Sequence, residues 1–467
     1  MMLSSELIAD YTFELSADSM TEEALEAAKR HTLDSLGCCL GAFTSPPSKH
    51  QRAVYGSTPS DGSVTANKSG NQTATVFGSG RETLLEYAGL INSTMVRYLD
   101  YNDTYISEGR ACHPSDHIPA LISVAEAEGA TGEELIEAIV LAYEIEGAGI
   151  DTGATWNNDY DYVSWGAYSS VAAIGKLMHL SRDELVSALG IAGASNLTLS
   201  ISRRGDVSMW KGAAHAYVVH SAIEACRLAR GGLTGPVDVF EGPGGFFDII
   251  DNELKVDTLG GRDGDPYRIT QSHLKPFPCG YYMQPMITGV RELVTENDVS
   301  PGDVEAIEIE TFEQAKMILG GEEKWSKDLT RESADHSIPY TAALAVMYGD
   351  VSPEHYTEEY LTDPKIHHLM DLVSVEESEV MNAASIESPG STPSLIRLVT
   401  DDDSYSTRVE CAPGHAKNPL STAEIESKMR EMAEPLLTEQ QIGTMIEFCD
   451  TLADQPNVDP LVDALEV

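Results

Sequence analysis

Basic residues are scarce in this chain: lysine and arginine together number 30 of 467 residues, against 75 aspartates and glutamates and a formal net charge of -45. No run of Lys and Arg interrupts the acids, so the sequence lacks a patch that would hold nucleic acid or an anionic membrane. Cysteines are also few. The seven of them (Cys38, Cys39, Cys112, Cys226, Cys279, Cys411 and Cys449) include no CxxC pair, which disfavours zinc and iron–sulfur sites and leaves free thiols as the expectation. GSGR at 78–81 and GPGG at 242–245 have neither a Walker ending nor GxGxxG spacing and read as turns, and no GxSxG supports a serine hydrolase. Long apolar runs are missing too. The most apolar stretch, LIEAIVLAYEIEGAGI, is broken by glutamates, and the first residues, MMLSSELIADYTFEL, hold no basic region or long apolar core. A soluble, cytoplasmic protein is expected.

What is present is globular. Hydrophobic residues make up 42% of the chain, too many for disorder, and the length allows about two to four domains with cores large enough to fold without disulfides or a structural metal. The acids are dispersed, as on a folded surface adapted to high salt, where screening within a few ångströms limits self-repulsion. A halophilic source is expected.

Helical periodicity dominates the first part. Residues 21–43 place Leu25, Ala28, Leu36, Cys39, Leu40 and Phe43 on one face, after a capping box at Ser19 and Glu22. Residues 48–80 read as polar loop with a short strand-like TATVFG, and helical spacing resumes at Glu82. Pro114 and Ser115 open a helix to about Gly129; Thr131 with Glu134, and Ser181 with Glu184, cap the helices of two similar hairpins. A long helix runs from about Met209 to Arg230. After about residue 268, VEAIEIETF, SLIRLVT and SYSTRVECA alternate as half-buried strands do, around a helix in SIPYTAALAVMYG. Helical spacing returns after caps at Ser421 and Thr438. The expected fold class is mainly α: a large helical domain built from 1–268 and 416–467, with a smaller α+β lid domain at 269–415 inserted.

Several polar residues stand in apolar settings. Lys211, in SMWKGAAHAYV, sits before small residues that let backbones pack closely, and is either a buried cation or a lysine snorkelling from a helix start. Lys275, in the Pro-spaced HLKPFPCGYYMQP, is either functional or a solvated loop lysine. YLDYNDTY sets Asp100, Asp103 and Thr104 ahead of RACHPSDH, but the spacing of an EF-hand is absent. His113 and His117 are four apart, yet Pro114 puts His113 outside the helix and no HExxH follows, so zinc is disfavoured. His113 at a helix start suits anion binding, proton transfer or plain capping. DHSIPYTAALA offers Asp335, His336, Ser337 and Tyr340, the tyrosine as a proton donor or as ordinary core.

Taken in order, ATVFGSGRETLLEYAGLINSTMVRYLDYNDTY, CHPSDHIPALISVAEA, SMWKGAAHA, GPGGFFD, LKPFPCG and DHSIPYTAALA resemble the MmgE/PrpD family across nearly the whole chain. That resemblance implies a helical domain with an α+β lid, a homodimer, a site between the domains, and neither metal nor organic cofactor. It implies catalytic roles for His113, Lys211, Lys275 and Tyr340, and substrate contacts from Asp100 and Thr104 of its DxxxT. Asp161 and Tyr162 fall where methylcitrate dehydratases have an Asp-His pair, and Gln284 where many relatives have His; both departures weaken a decarboxylase reading. The implied substrate is a small di- or tricarboxylate. Lys211 and Lys275, with Arg203 or Arg204, would bind its carboxylates and stabilise charge on the adjacent carbon. The implied reaction is cofactor-independent dehydration of 2-methylcitrate to 2-methyl-cis-aconitate, the step of propionate catabolism. The alternatives are cis-aconitate decarboxylation, epimerisation or dehydration of another polycarboxylate, and a catalytically silent helical dimer.

Overall fold

The computed structural model describes residues 2–56, 72–107, 110–152, 159–203, 207–250, 258–262, 264–388 and 390–467. Two hydrophobic cores organise them, and the first is helical. It draws on Ile8 to Leu274 and again on Leu420 to Leu465, so the last helices pack on the early ones. Helix Thr422–Ala433 lies against helix Glu22–Gly41, which in turn packs on Leu85–Tyr98. At the centre, Gly132–Asp151, Val163–Leu177 and Trp210–Arg230 pack side by side. Their approach is close: a Cβ on Gly149 would lie 2.3 Å from the Trp165 ring, so any larger residue would push these helices apart.

The second core covers Phe277 to Leu398 and is backed by a four-stranded sheet. Strand Val304–Thr311 is central, parallel to Val373–Glu377 and antiparallel to Ser394–Thr400, which pairs with Ser404–Val409 at the edge. Past an irregularity between Val304 and Ala306 its burial alternates, Ile307, Ile309 and Thr311 facing the core, the period of two that a one-sided sheet requires. The chain is thus mainly α, with its strands gathered in this smaller unit and two short hairpins. Among the described residues no helix is long and apolar enough to cross a membrane.

Capping at Thr131, Ser181, Ser421 and Thr438 is as the sequence predicts, each side chain accepting from the backbone N–H three residues on. Other local expectations need correction. Thr21, not Ser19, caps the second helix, because Ser19 is tied up with Ser16 in a preceding 3₁₀ turn. Residues read as loop form helix Pro46–Tyr55, whose proline occupies the first turn. Helical structure resumes at Leu85, since Arg81–Leu84 pairs as a strand with Thr73–Val76. After Pro114 comes one 3₁₀ turn, Pro114–His117, before helix Ile118–Glu128 ends at left-handed Gly129. Strand Val373–Glu377 went unforeseen: only two apolar residues alternate in it.

Candidate active site

Between the two cores lies a cavity of about 380 Å³. The helical unit contributes Arg97, Asp100, Thr104, His113, Tyr162 and Arg203; the smaller unit contributes Tyr281, Tyr282, His336 and the face of helix Glu313–Leu319 carrying Glu313, Gln314 and Met317. A larger depression, about 470 Å³, is bordered by Glu22, Glu23 and Glu26. Its acids would repel an anion, so the 380 Å³ cavity is the better place for a carboxylate ligand.

Asp100 anchors the cationic side. It follows helix Leu85–Tyr98 with φ +52°, a left-handed conformation uncommon outside glycine but tolerated by Asp. This turn aims its carboxylate into a nest of cations. Oδ1 pairs with Lys275 Nζ and lies 3.0 Å from Arg97 Nη1; Oδ2 is 3.1 Å from Lys211 Nζ and 3.4 Å from His336 Nε2. Burial pushes the Asp100 carboxyl up, but Arg97, Lys275 and Lys211 outweigh it and hold it well below the usual range. Lys211 also reaches Asp335 Oδ1 at 2.7 Å, and His336 Nδ1 lies 2.7 Å from the same oxygen. Lys428, from helix Thr422–Ala433, donates to the carbonyls of Lys275 and Tyr101 and pairs with buried Asp34 at 2.6 Å.

Arg97 is fully buried yet lines the cavity. Despite its distance to Asp100, neither Nε nor Nη1 meets the geometry of a hydrogen bond with any described residue. Unsatisfied buried guanidinium donors are expensive, and a ligand carboxylate would satisfy them. Arg203 is the second cation on this wall. Its Nε donates to Asp161 Oδ2 at 2.7 Å, its guanidinium stands 4.7 Å from the Tyr162 ring centroid, and one Nη donates to the Tyr162 hydroxyl at 3.0 Å. That hydroxyl donates in turn to Asp116 Oδ2 at 3.3 Å. Asp116, buried and also bonded by Asn102, has its carboxyl pushed up to about 7, burial outweighing Arg97 and Arg203. Burial likewise raises the Tyr162 phenol well above its ordinary value, so it stays a donor at neutral pH.

His113 stands edge-on to Tyr162 with ring centroids 5.6 Å apart. Its Nδ1 lies 2.7 Å from the Asp103 carbonyl oxygen. A carbonyl only accepts, so Nδ1 carries the proton and the Nε2 lone pair has no partner among the described residues. Burial, then Arg97 and Lys275, lower the ring's pKa well below the ordinary value, keeping the histidine neutral and able to take a proton.

Two described clusters bring together metal-ligand types. In the first, Asp100, Asp335 and His336 surround the Lys211 ammonium, which occupies a cation's place. In the second, His117 spends Nδ1 on the Pro114 carbonyl and Nε2 on Ser169, leaving Glu146 and His215 as the open donors, fewer than a metal requires.

Residues 6–258 match the MmgE/PrpD N-terminal domain and residues 277–451 the MmgE/PrpD C-terminal domain. The chain belongs to the MmgE/PrpD family. It is 24% identical over 384 residues to a 2-methylcitrate dehydratase of Cupriavidus necator, covering 77% of this chain and 74% of that one. Against a 2-methylcitrate dehydratase of Salmonella typhi it is 24% identical, covering 80% and 78%, and against an alkylcitrate dehydratase of a fungal species 25% identical, covering 72% and 70%.

Within this MmgE/PrpD chain the structure brings Asp100, Thr104, His113, Asp161, Tyr162 and Arg203 to one cavity. Four other expected site residues need revision. Tyr340 faces the smaller unit's core, and its hydroxyl donates to the His355 carbonyl at 2.5 Å, so it does not reach the cavity. Gln284 is buried and spends its amide on Phe277 and Cys279, clamping the KPFPC loop instead of touching a ligand. Lys275, fully buried, and Lys211, nearly so, stand behind Asp100 and do not line the cavity; they hold its carboxylate. Arg204 lies outside the described residues. Sequence reading missed Arg97, concealed in an apolar helix, and Asp116, which passes for a polar residue of a helix start. His336 was named only as a neighbour of Tyr340; it lies just before the Ser337 cap and points into the cavity that Tyr340 does not reach.

Proposed function

We propose that this protein is a cofactor-independent hydro-lyase that dehydrates 2-methylcitrate to 2-methyl-cis-aconitate. The observation that carries the reading is the juxtaposition of Arg97, with unsatisfied buried donors, and a neutral His113 whose Nε2 lone pair is unpaired on the same wall. A carboxylate bound by Arg97 and Arg203 acidifies the adjacent C–H, and His113 takes that proton. The electron pair forms the carbon–carbon double bond as the C–O bond to the neighbouring carbon breaks. Hydroxide leaves and receives a proton from Tyr162, which Asp116 can resupply, so the products are the unsaturated acid and water. Asp161 holds Arg203, and Lys211 and Lys275 hold Asp100. The relatives named as 2-methylcitrate and alkylcitrate dehydratases support the same reading.

Incubation of the purified protein in concentrated KCl with 2-methylcitrate is expected to yield the conjugated acid, followed by its absorbance. Carbon dioxide and itaconate from cis-aconitate, with no change in methylcitrate, would replace this reading by decarboxylation.

A further inference from the structure

His336 lines the cavity yet takes no part in the proton transfers assigned to His113, Tyr162 and Asp116. The guanidinium groups on the cavity wall, Arg97, Arg110 and Arg203, all precede the smaller unit in the chain. Besides its tyrosines, the smaller unit brings two ionisable side chains to the described lining, Glu313 and His336. Glu313 would repel a carboxylate, so positive charge from that side can come only from His336. Its ring stands between opposing demands. Nδ1 lies 2.7 Å from Asp335 Oδ1 and Nε2 lies 3.4 Å from Asp100 Oδ2, so each ring nitrogen faces a carboxylate oxygen. A neutral imidazole has one N–H and satisfies one of them; an imidazolium satisfies both. Against this, Lys211 Nζ lies 3.0 Å from Nδ1 and already spans the same two carboxylates, at 3.1 and 2.7 Å. The other charges around the ring are engaged as well: Arg97 and Lys275 lie against Asp100, Arg331 reaches Asp335 Oδ2 at 2.9 Å, and Lys324 acts on Lys211 and Asp335 from the turn Glu322–Trp325. Four cations, Arg97, Lys211, Lys275 and Arg331, thus contact two carboxylates, and the pocket has positive charge to spare. Burial and Lys211 then outweigh Asp335 and Asp100, and the His336 ring is held below its ordinary pKa.

We propose that ligand binding charges His336: neutral while the cavity is empty, it takes a proton from solvent when a polycarboxylate enters, and as an imidazolium it holds a ligand carboxylate from the smaller unit's side. This rests on the reading of the cavity as a carboxylate site and adds a binding group to it. The proton goes to whichever ring nitrogen was bare, leaving Nδ1–H toward Asp335 and Nε2–H toward Asp100 and the cavity. A ligand with two or three carboxylates cancels the surplus of positive charge, and at contact distance in a buried site its attraction for the ring outweighs the repulsion from Lys211. The smaller unit therefore grips the ligand only after it has arrived, and the empty site is spared one more uncompensated charge.

The test is calorimetric titration of the full chain with tricarballylate, a tricarboxylate with no hydroxyl to lose, in concentrated KCl at neutral pH. Parallel runs in PIPES and in Tris, whose ionisation enthalpies differ, report the protons exchanged. Uptake of about one proton per ligand is expected. Binding that consumes a proton weakens as protons become scarcer, so affinity is expected to fall by up to about tenfold per unit of pH as pH rises through the neutral range. His336→Gln, which keeps a neutral hydrogen-bonding side chain, is expected to bind more weakly, with uptake near zero and a flat pH dependence. His113, with its open Nε2, and Asp116, whose carboxyl is pushed up to about 7, are the other groups on hand for the proton; His113→Gln and Asp116→Asn are expected to keep the uptake. No uptake in the wild type, or uptake that survives in His336→Gln, overturns the assignment and leaves the dehydratase reading in place. If His336→Gln binds too weakly for calorimetry, uptake kept in both other variants supports His336, and uptake lost in either overturns it. Failure of tricarballylate to bind the wild type overturns both this assignment and the carboxylate site on which it rests.

Discussion

At His113 the chemistry depends on which ring nitrogen holds the proton, and the Asp103 carbonyl decides it. His113→Ala is expected to lower kcat by about 10²-fold or more with a small change in KM, as loss of a general base does. Tyr340→Phe is the contrasting variant. Its hydroxyl bonds a backbone carbonyl inside the smaller core, so the change is expected to cost about 1 kcal/mol of stability and to leave kcat within threefold, measured by denaturant unfolding and steady-state kinetics. Asp116 adds a pH signature. Its folded carboxyl is raised to about 7 from an unfolded value near 3.9, so the wild type loses stability from this group as pH rises between those values. The stability of Asp116→Asn relative to wild type is therefore expected to increase from pH 4 to pH 7 and then level off. Much of the site was legible at this scale because Asp100, Thr104, His113, Asp161, Tyr162 and Arg203 stand in polar motifs. The direction of a side chain was not: Tyr340 and Gln284 sit in the right segments but turn to their own unit's core, a choice made by tertiary packing. Arg97 lay hidden because a buried arginine on an apolar helix gives no periodic sign of what it faces.

Among the elements, the long helices with capping boxes were readable because local hydrogen bonds and a period near 3.6 residues agree there. The parallel pairing of Val373–Glu377 with Val304–Thr311 was not, since a short strand with two core residues acquires its identity from a partner some seventy positions away. We propose that 1–268 and 416–467 fold as one unit carrying 269–415 as an insert. The packing of Thr422–Ala433 on Glu22–Gly41 supports this. Amide hydrogen exchange is expected to show these two helices opening together at one free energy, separate from the sheet; protection of Thr422–Ala433 that instead follows the sheet would refute the division.

For the whole molecule, a net charge of -45 means strong self-repulsion at low ionic strength. Raising KCl from about 0.1 M, where the screening length is roughly 10 Å, to about 1 M, where it is roughly 3 Å, is expected to raise Tm in a scanning calorimetry series; a flat or falling trend would argue against adaptation to salt. The buried cation pairs around Asp100 are shielded from that salt, so site geometry and global stability should respond differently. Lys428 ties the two together in time. Asp34 and the carbonyls of Tyr101 and Lys275 all await an ammonium encoded near the end of the chain. On a ribosome adding about 5–20 residues per second, the early helices emerge before the ammonium that pairs with Asp34, and the Lys275 carbonyl waits for its donor although Gln284 already holds the loop at Phe277 and Cys279. The grip of Lys428 on Asp34 and on the carbonyls of Tyr101 and Lys275 thus forms only once residue 428 has been made, and a chain stalled before it leaves all three without their ammonium.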